Sequence, residues 1–161
     1  MTPTDLRHLS RAIALARSAR EHGNHPFGAL LVGGGATDVG EVLCEAENSV
    51  VTTGDVTGHA ETNLVRIACA RVGSAARSTS TLYTSTEPCA MCAGAIHWAG
   101  IGRIVFALSE ADLYDLVGPS PEHLRLPCRH LFSHTARTVL IEGPAAELDA
   151  EARAVHAGFW R

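Results

Sequence analysis

The sequence predicts an α/β chain, a three-layer α/β/α sandwich around a central five-stranded mixed sheet. Three observations predict it. Segments with helical apolar spacing alternate with short runs rich in Val, Ile, Leu, Thr and Tyr. Only the first two such runs follow each other directly, across a glycine-rich break, which reads as a hairpin beside a largely parallel remainder. The chain has 161 residues, enough to bury one sizeable core and too few for a second full domain, so residues 1–161 read as a single domain.

The elements follow in order. Thr2-Pro3-Thr4-Asp5 supplies a capping hydroxyl and a first-turn proline, and Leu6, Leu9, Ile13 and Ala16 continue at helical spacing, which predicts a helix over about 3–22. Strands are expected over 27–32 and 41–46, joined by a turn at Gly33-Gly34-Gly35. That glycine cluster lacks a Gly-Lys-Ser/Thr and opens no helix, so it is a turn and not a phosphate loop. Ala60, Leu64, Ile67 and Ala68 predict a helix over 59–72. A strand over 80–85, a helix over 89–100 and strands over 103–107 and 138–141 come next, and Gly143-Pro144 punctuates the start of a last helix over 145–157. The segment 113–135, with Pro119, Pro121 and Pro127, reads as mostly loop with short helical pieces at best.

Composition narrows the function. Hydrophobic residues make up 46% and charged residues 19%, which excludes wholesale disorder and a fibrous repeat. No apolar run approaches the 18 or so residues of a membrane span, and Asp5, Arg7 and Arg11 stand where a signal peptide would place its apolar stretch, so a cytoplasmic protein without membrane attachment is expected. The net charge of −4 includes no lysine, and from Glu110 onward the balance is −3. Phosphate binding relies on clustered cations, which argues against a nucleic-acid partner. The cysteines at 44, 69, 89, 92 and 128 are odd in number and only two are close together, which points to a metal or redox pair over a disulfide framework. Cys44, Cys69 and Cys128 read as small buried hydrophobes.

Two runs carry the chemistry, His59-Ala60-Glu61 and Pro88-Cys89-Ala90-Met91-Cys92. The helix after His59 takes the chain about 20 Å away at roughly 1.5 Å per residue. The strand before Cys89 brings it back about as far at roughly 3.3 Å per residue. Both helix N-termini then meet at one edge of the sheet, with Ala60, Ala93, Gly94 and Ala95 small enough for close approach. One imidazole and two thiolates suit Zn2+ and leave a fourth position open for water. A helix N-terminus favours the thiolate. Glu61 stands ready as the base for that water. A redox pair or half of a structural zinc knuckle would use the same cysteines, but a knuckle needs a fourth protein ligand and gives His59-Ala60-Glu61 no task.

The pairing of His-x-Glu with Pro-Cys-x-x-Cys resembles the cytidine deaminase-like superfamily of zinc-dependent nucleobase deaminases. Pro26-Phe27-Gly28-Ala29, Glu47-Asn48, Asp55-x-Thr57 before His59, and Leu82 to Cys92 extend the likeness over about residues 26–107, within the branch of guanine deaminases, fungal-type cytosine deaminases and tRNA adenosine deaminases. The resemblance implies hydrolytic deamination with His59, Cys89 and Cys92 as zinc ligands and Glu61 as the proton carrier from water to ring nitrogen and leaving amine. It also implies that Asn48 and the Ala60 N–H hold the substrate's carbonyl and that Phe27 lines the pocket. Asp112 falls where related guanine deaminases place a ring-recognising acid, although it also reads as a helix cap. Phe159 and Trp160 resemble a C-terminal aromatic gate, or else they anchor the last helix. The chain departs from the pattern at Val56 and Gly58, which would loosen the turn before His59.

The expected substrate is a free nucleobase or related heterocycle, guanine first, then cytosine or an s-triazine. A nucleoside or tRNA adenosine is the alternative, and a silent zinc-binding interaction domain is a third reading. Relatives are commonly dimers, so a homodimer is expected.

Overall fold

The computed structural model describes residues 1–34 and 40–160. Helix α1 spans Pro3–Glu21 and opens on a reciprocal cap, in which Thr2 Oγ1 accepts from the Asp5 N–H and the Asp5 carboxylate accepts from the Thr2 N–H. Strands β1 (Gly28–Val32) and β2 (Val42–Glu47) form the antiparallel hairpin, whose expected turn at 33–35 lies partly outside the described residues. Next come α2 (Val50–Thr53), α3 (Ala60–Arg71), α4 (Ser74–Ser78), β3 (Thr81–Thr86), α5 (Ala90–Ala99) and β4 (Arg103–Leu108). The chain ends with α6 (Glu110–Val117), α7 (Cys128–Phe132), β5 (Leu140–Glu142), a 3-10 turn at Ala146–Leu148 and α8 (Asp149–Ala154).

The five strands are ordered β2-β1-β3-β4-β5; β1 runs antiparallel to both neighbours, while β3, β4 and β5 are parallel. Alternation along each strand splits the apolar side chains between two cores. Ala29, Leu31, Leu82, Ile104 and Phe106 pack with α3 and α5. Leu30, Val32, Tyr83, Val105 and Ala107 pack with α1 and α8. This is the expected three-layer α/β/α sandwich. At Gly28 a Cβ would stand 2.5 Å from both the Ala12 carbonyl oxygen and the Ala16 nitrogen, so α1 reaches β1 only because that position has no side chain. Among the described residues no helix is long and apolar enough to cross a membrane.

Three elements depart from expectation. Residues 113–117, expected as loop, complete α6, because Ser109 caps it by accepting from the Asp112 N–H and Leu113 is buried. The prolines that suggested loop begin only after Gly118, where that helix ends. Strand β5 starts two residues and ends one residue later than expected, since its ends are set by pairing with β4, Arg103 opposite Leu140 and Val105 opposite Glu142. The last helix is shorter than 145–157: it begins at Asp149 and ends at Ala154, beyond which carbonyls of the turn accept from Arg20.

Candidate active site

His59 and Cys89 are the N-caps of α3 and α5, and both have extended backbones (φ −66°, ψ 150° and φ −64°, ψ 169°). Neither side chain makes an N-capping hydrogen bond, and the two face each other across the sheet edge. His59 Nδ1 lies 3.6 Å from Cys89 Sγ and 3.6 Å from Cys92 Sγ. All three donor atoms fall within 4.8 Å of one another. A tetrahedral zinc with bonds of roughly 2.3 Å to sulfur and 2.0–2.1 Å to nitrogen requires a sulfur–nitrogen separation of about 3.6 Å, so the donors fit the ion in both type and spacing.

The thiols are electrostatically unequal. Hydrogen bonding from Cys92, helped by His59, lowers the Cys89 pKa to about 4, whereas sharing that proton with Cys89 and its own burial push Cys92 well above the ordinary thiol range. The pair therefore holds one thiolate and one tightly held proton, and a dication would complete the donor set by displacing that proton. His59 is raised above the usual imidazole value, mainly by its contact with Cys89.

Glu61 is the third residue from the same turn, only 5% exposed. One carboxylate oxygen accepts from Thr84 Oγ1 at 2.8 Å and the other lies 3.5 Å from Cys92 Sγ. Burial, with the Cys89 thiolate adding to it, raises its pKa. Thr84 escaped the sequence reading, although period-two alternation places it on the same face as Leu82, beneath α3. The turn before His59 is not loosened by Gly58 and Val56. The Thr57 N–H and hydroxyl both donate to Asp55 Oδ1, while the Gly58 carbonyl accepts from the Ser49 N–H and from Asn63 Nδ2. A Cβ at Gly58 would lie 2.8 Å from Ser49 Oγ, so glycine is what lets this turn close.

These groups open into a cavity of about 630 Å³ whose walls include Phe27, His59, Glu61, Cys89 and Trp160. Its lining also includes Glu87, Glu110, Tyr114, Glu122 and His123, none of which the sequence reading selected. Glu87 spends its two oxygens on the N–H groups of Glu110 and Cys128. Glu110 is buried, which raises its pKa, and accepts from the Tyr114 hydroxyl. Tyr114 stacks on His123 with centroids 3.9 Å apart. No arginine is among the described residues that line the cavity.

The remaining selected positions divide. Asn48 is buried beside β1, its N–H donating to the Phe27 carbonyl and its Oδ1 accepting from Val50, while no described group accepts from its Nδ2. The backbone N–H of Ala60, first in α3, likewise has no acceptor among the described residues. Phe159 does not line the cavity; it packs edge-on to His25 and Trp160. Asp112 is turned away from the cavity, because its carboxylate is held by Ser109 and by Arg153 at 2.6 Å; Glu110, one residue after the cap, takes the inward position. Cys44 and Cys128 are buried as expected, but Cys69 is exposed.

A family model described as the cytidine and deoxycytidylate deaminase zinc-binding region matches residues 2–108. The chain belongs to this family. Its members are hydrolytic deaminases, and the deaminase described here is similar to a probable cytosine deaminase of Schizosaccharomyces pombe, 38% identical over 99% of this chain and 94% of the other. It is 40% identical to the guanine deaminase of Bacillus subtilis over 65% of this chain and 64% of that protein. A solved structure from a study of A-to-I editing by tRNA:A34 deaminases superposes with a TM-score of 0.67 at 30% identity, covering 93% of the deaminase and 99% of that chain.

Proposed function

We propose that the deaminase removes the exocyclic amine of a free nucleobase or related heterocycle as ammonia, with guanine the leading substrate and cytosine or an s-triazine next. The observation that carries this reading is the cavity itself, lined by a buried proton carrier, the His59 and Cys89 donors, carboxylates and aromatic rings, with no arginine among the described lining residues. A nucleotide or tRNA substrate brings phosphates that such a wall gives nothing to pair with. A flat, uncharged ring rich in N–H donors suits carboxylates at Glu110 and Glu122 and the faces of Phe27 and Trp160. Guanine offers more such donors than cytosine does.

In this reading His59, Cys89 and Cys92 hold Zn2+, which when bound supplies Lewis acidity that makes water nucleophilic at neutral pH. Glu61 takes one proton of the attacking water and passes it to the ring nitrogen next to the attacked carbon, then moves the remaining hydroxyl proton to the amine, which leaves as ammonia as the ring carbonyl forms. Its burial keeps the carboxyl easily protonated, and the Thr84 hydroxyl fixes its orientation. Asn48 Nδ2 and the Ala60 N–H, both without protein acceptors among the described residues, bind the substrate's carbonyl. Phe27 and Trp160 cover the ring, whereas Phe159 supports Trp160 and Asp112 has no contact with substrate. We further propose a cytoplasmic homodimer. Five free cysteines suit a reducing compartment, and Trp98, 86% exposed on α5, is a large apolar side chain that a second copy would cover.

The test is an ammonia-release panel of guanine, cytosine, s-triazines, their nucleosides and an adenosine-containing tRNA stem-loop. Turnover of a free ring, fastest for guanine, is expected. Turnover confined to the stem-loop would overturn the free-base reading, and no turnover of any member would leave a zinc-binding domain without this activity.

A further inference from the structure

The approach to Trp160 is held by a residue distant in sequence. Arg20, near the end of α1, donates from Nη1 to the carbonyls of Val155 at 2.8 Å and Ala157 at 2.9 Å, and its guanidinium carbon lies 5.7 Å from the centre of the Phe159 ring. Carbonyls at the end of a helix have no intrahelical donor, so an arginine that takes two of them fixes the direction in which the chain leaves. The chain then turns at Gly158 with φ +67°, a conformation that side-chain-bearing residues avoid, and reaches Trp160.

The indole stands on a boundary. It belongs both to the wall of the catalytic cavity and to that of a second hollow of about 370 Å³ between α6 and the C-terminal turn, bordered by Leu116 and Arg153. Its ring is 6.0 Å from Phe27, which lines the catalytic cavity, and 5.4 Å from His25, while its Nε1 donates at 3.2 Å to Nδ1 of His156, which borders the second hollow. Helix α8 has six residues, one of them buried, and offers little of its own to decide which space the indole faces. Arg20 is the charged group, from outside the C-terminal segment, that engages the backbone on the approach to that choice.

We propose that Arg20 is a positioning residue for substrate: by clamping the carbonyls of Val155 and Ala157 it holds the Trp160 indole over the catalytic cavity and out of the second hollow. The clamp sets how tightly the ring is covered and leaves the chemistry at Glu61 untouched. Its consequence for substrate rests on the reading of the cavity as a ring site; its consequence for Trp160 does not.

The experiment uses the full chain carrying Trp98→Phe, so that Trp160 is the sole tryptophan, and compares Arg20→Ala, Arg20→Gln and Arg20→Lys. Acrylamide quenching of Trp160 is read without substrate, and KM and kcat are read with the ring of the panel turned over fastest. Arg20→Ala is expected to increase quenching and to raise KM about tenfold with kcat within about twofold, the scale of lost hydrogen bonds to a charged group. Arg20→Lys restores most of both, and in a Trp160→Ala background Arg20→Ala adds no further change in KM, as a shared route requires. Should the alanine variant not fold, the glutamine variant carries the same comparison. Unchanged quenching in a folded Arg20 variant would overturn the proposal, as would a KM change that persists without Trp160. If no ring is turned over by the parent chain, the functional reading fails, while the quenching comparison still decides the clamp.

Discussion

At the scale of single residues, Glu61 combines two properties that general acid–base chemistry needs, a fixed oxygen and a carboxyl whose pKa burial raises. Glu61→Gln keeps the shape and removes the proton transfer. It is expected to retain the metal and to lose about 10² to 10⁴-fold in kcat, checked by ammonia release beside metal analysis; retained turnover would remove Glu61 from the mechanism. The His/Cys/Cys cluster and Glu61 were legible in the sequence because the chemistry fixes both residue type and short spacing. The α6 part of the cavity lining was not, because it depends on which way that helix turns. Asp112 and Glu110 are two residues apart, about 200° around the helix, and the Ser109 cap holds Asp112 toward Arg153 while Glu110 faces the cavity.

At the scale of elements, the C-terminal turn is the part most exposed to pH. His156 accepts from the Trp160 indole through Nδ1, which assigns its own proton to Nε2, a buried atom with no partner. Burial first, and the charge of Arg20 second, lower its pKa to about 4. The folded state therefore binds fewer protons than the unfolded chain in this range, so docking of the turn is fully stable above about pH 6.5 and weakens as the pH falls toward 4. His25 and Phe27, the other rings around it, leave this direction unchanged, since His25 is also shifted downward by burial. Trp160 fluorescence in the Trp98→Phe chain should report undocking on that interval, and His156→Gln, which cannot acquire the charge, should abolish the transition. The sequence located this segment but not its form, because a helix ending on another element's arginine carries no local signal.

At the scale of the whole molecule, the layers are pinned by a buried network that sequence reasoning missed. Arg103 on β4 donates to both oxygens of Asp5 and to Glu142 on β5, and the Tyr83 hydroxyl on β3 donates to Asp5 at 2.7 Å. Burial alone would raise the Asp5 pKa, but hydrogen bonds from Arg103, Thr2 and Tyr83 outweigh it and hold the carboxyl far below its ordinary value. Its stabilising contribution is then complete above the unfolded value and lost as the solution becomes more acid. Arg103→Met leaves a buried carboxylate without its partner and is expected to cost about 3–5 kcal/mol, measured as denaturant midpoint at neutral pH and diminished in acid. Partners separated by 98 positions in sequence leave no trace in spacing, whereas the alternation of helices and strands is written locally and gave the sandwich and its mixed sheet.

The central claim is that one divalent ion, gripped where α3 and α5 begin, is the source of the activity. Exhaustive metal removal followed by titration with zinc, with ammonia release followed at each addition, tests it most directly. Activity should vanish on removal and return in full at about one zinc per chain; undiminished ammonia release from the metal-free protein would contradict it.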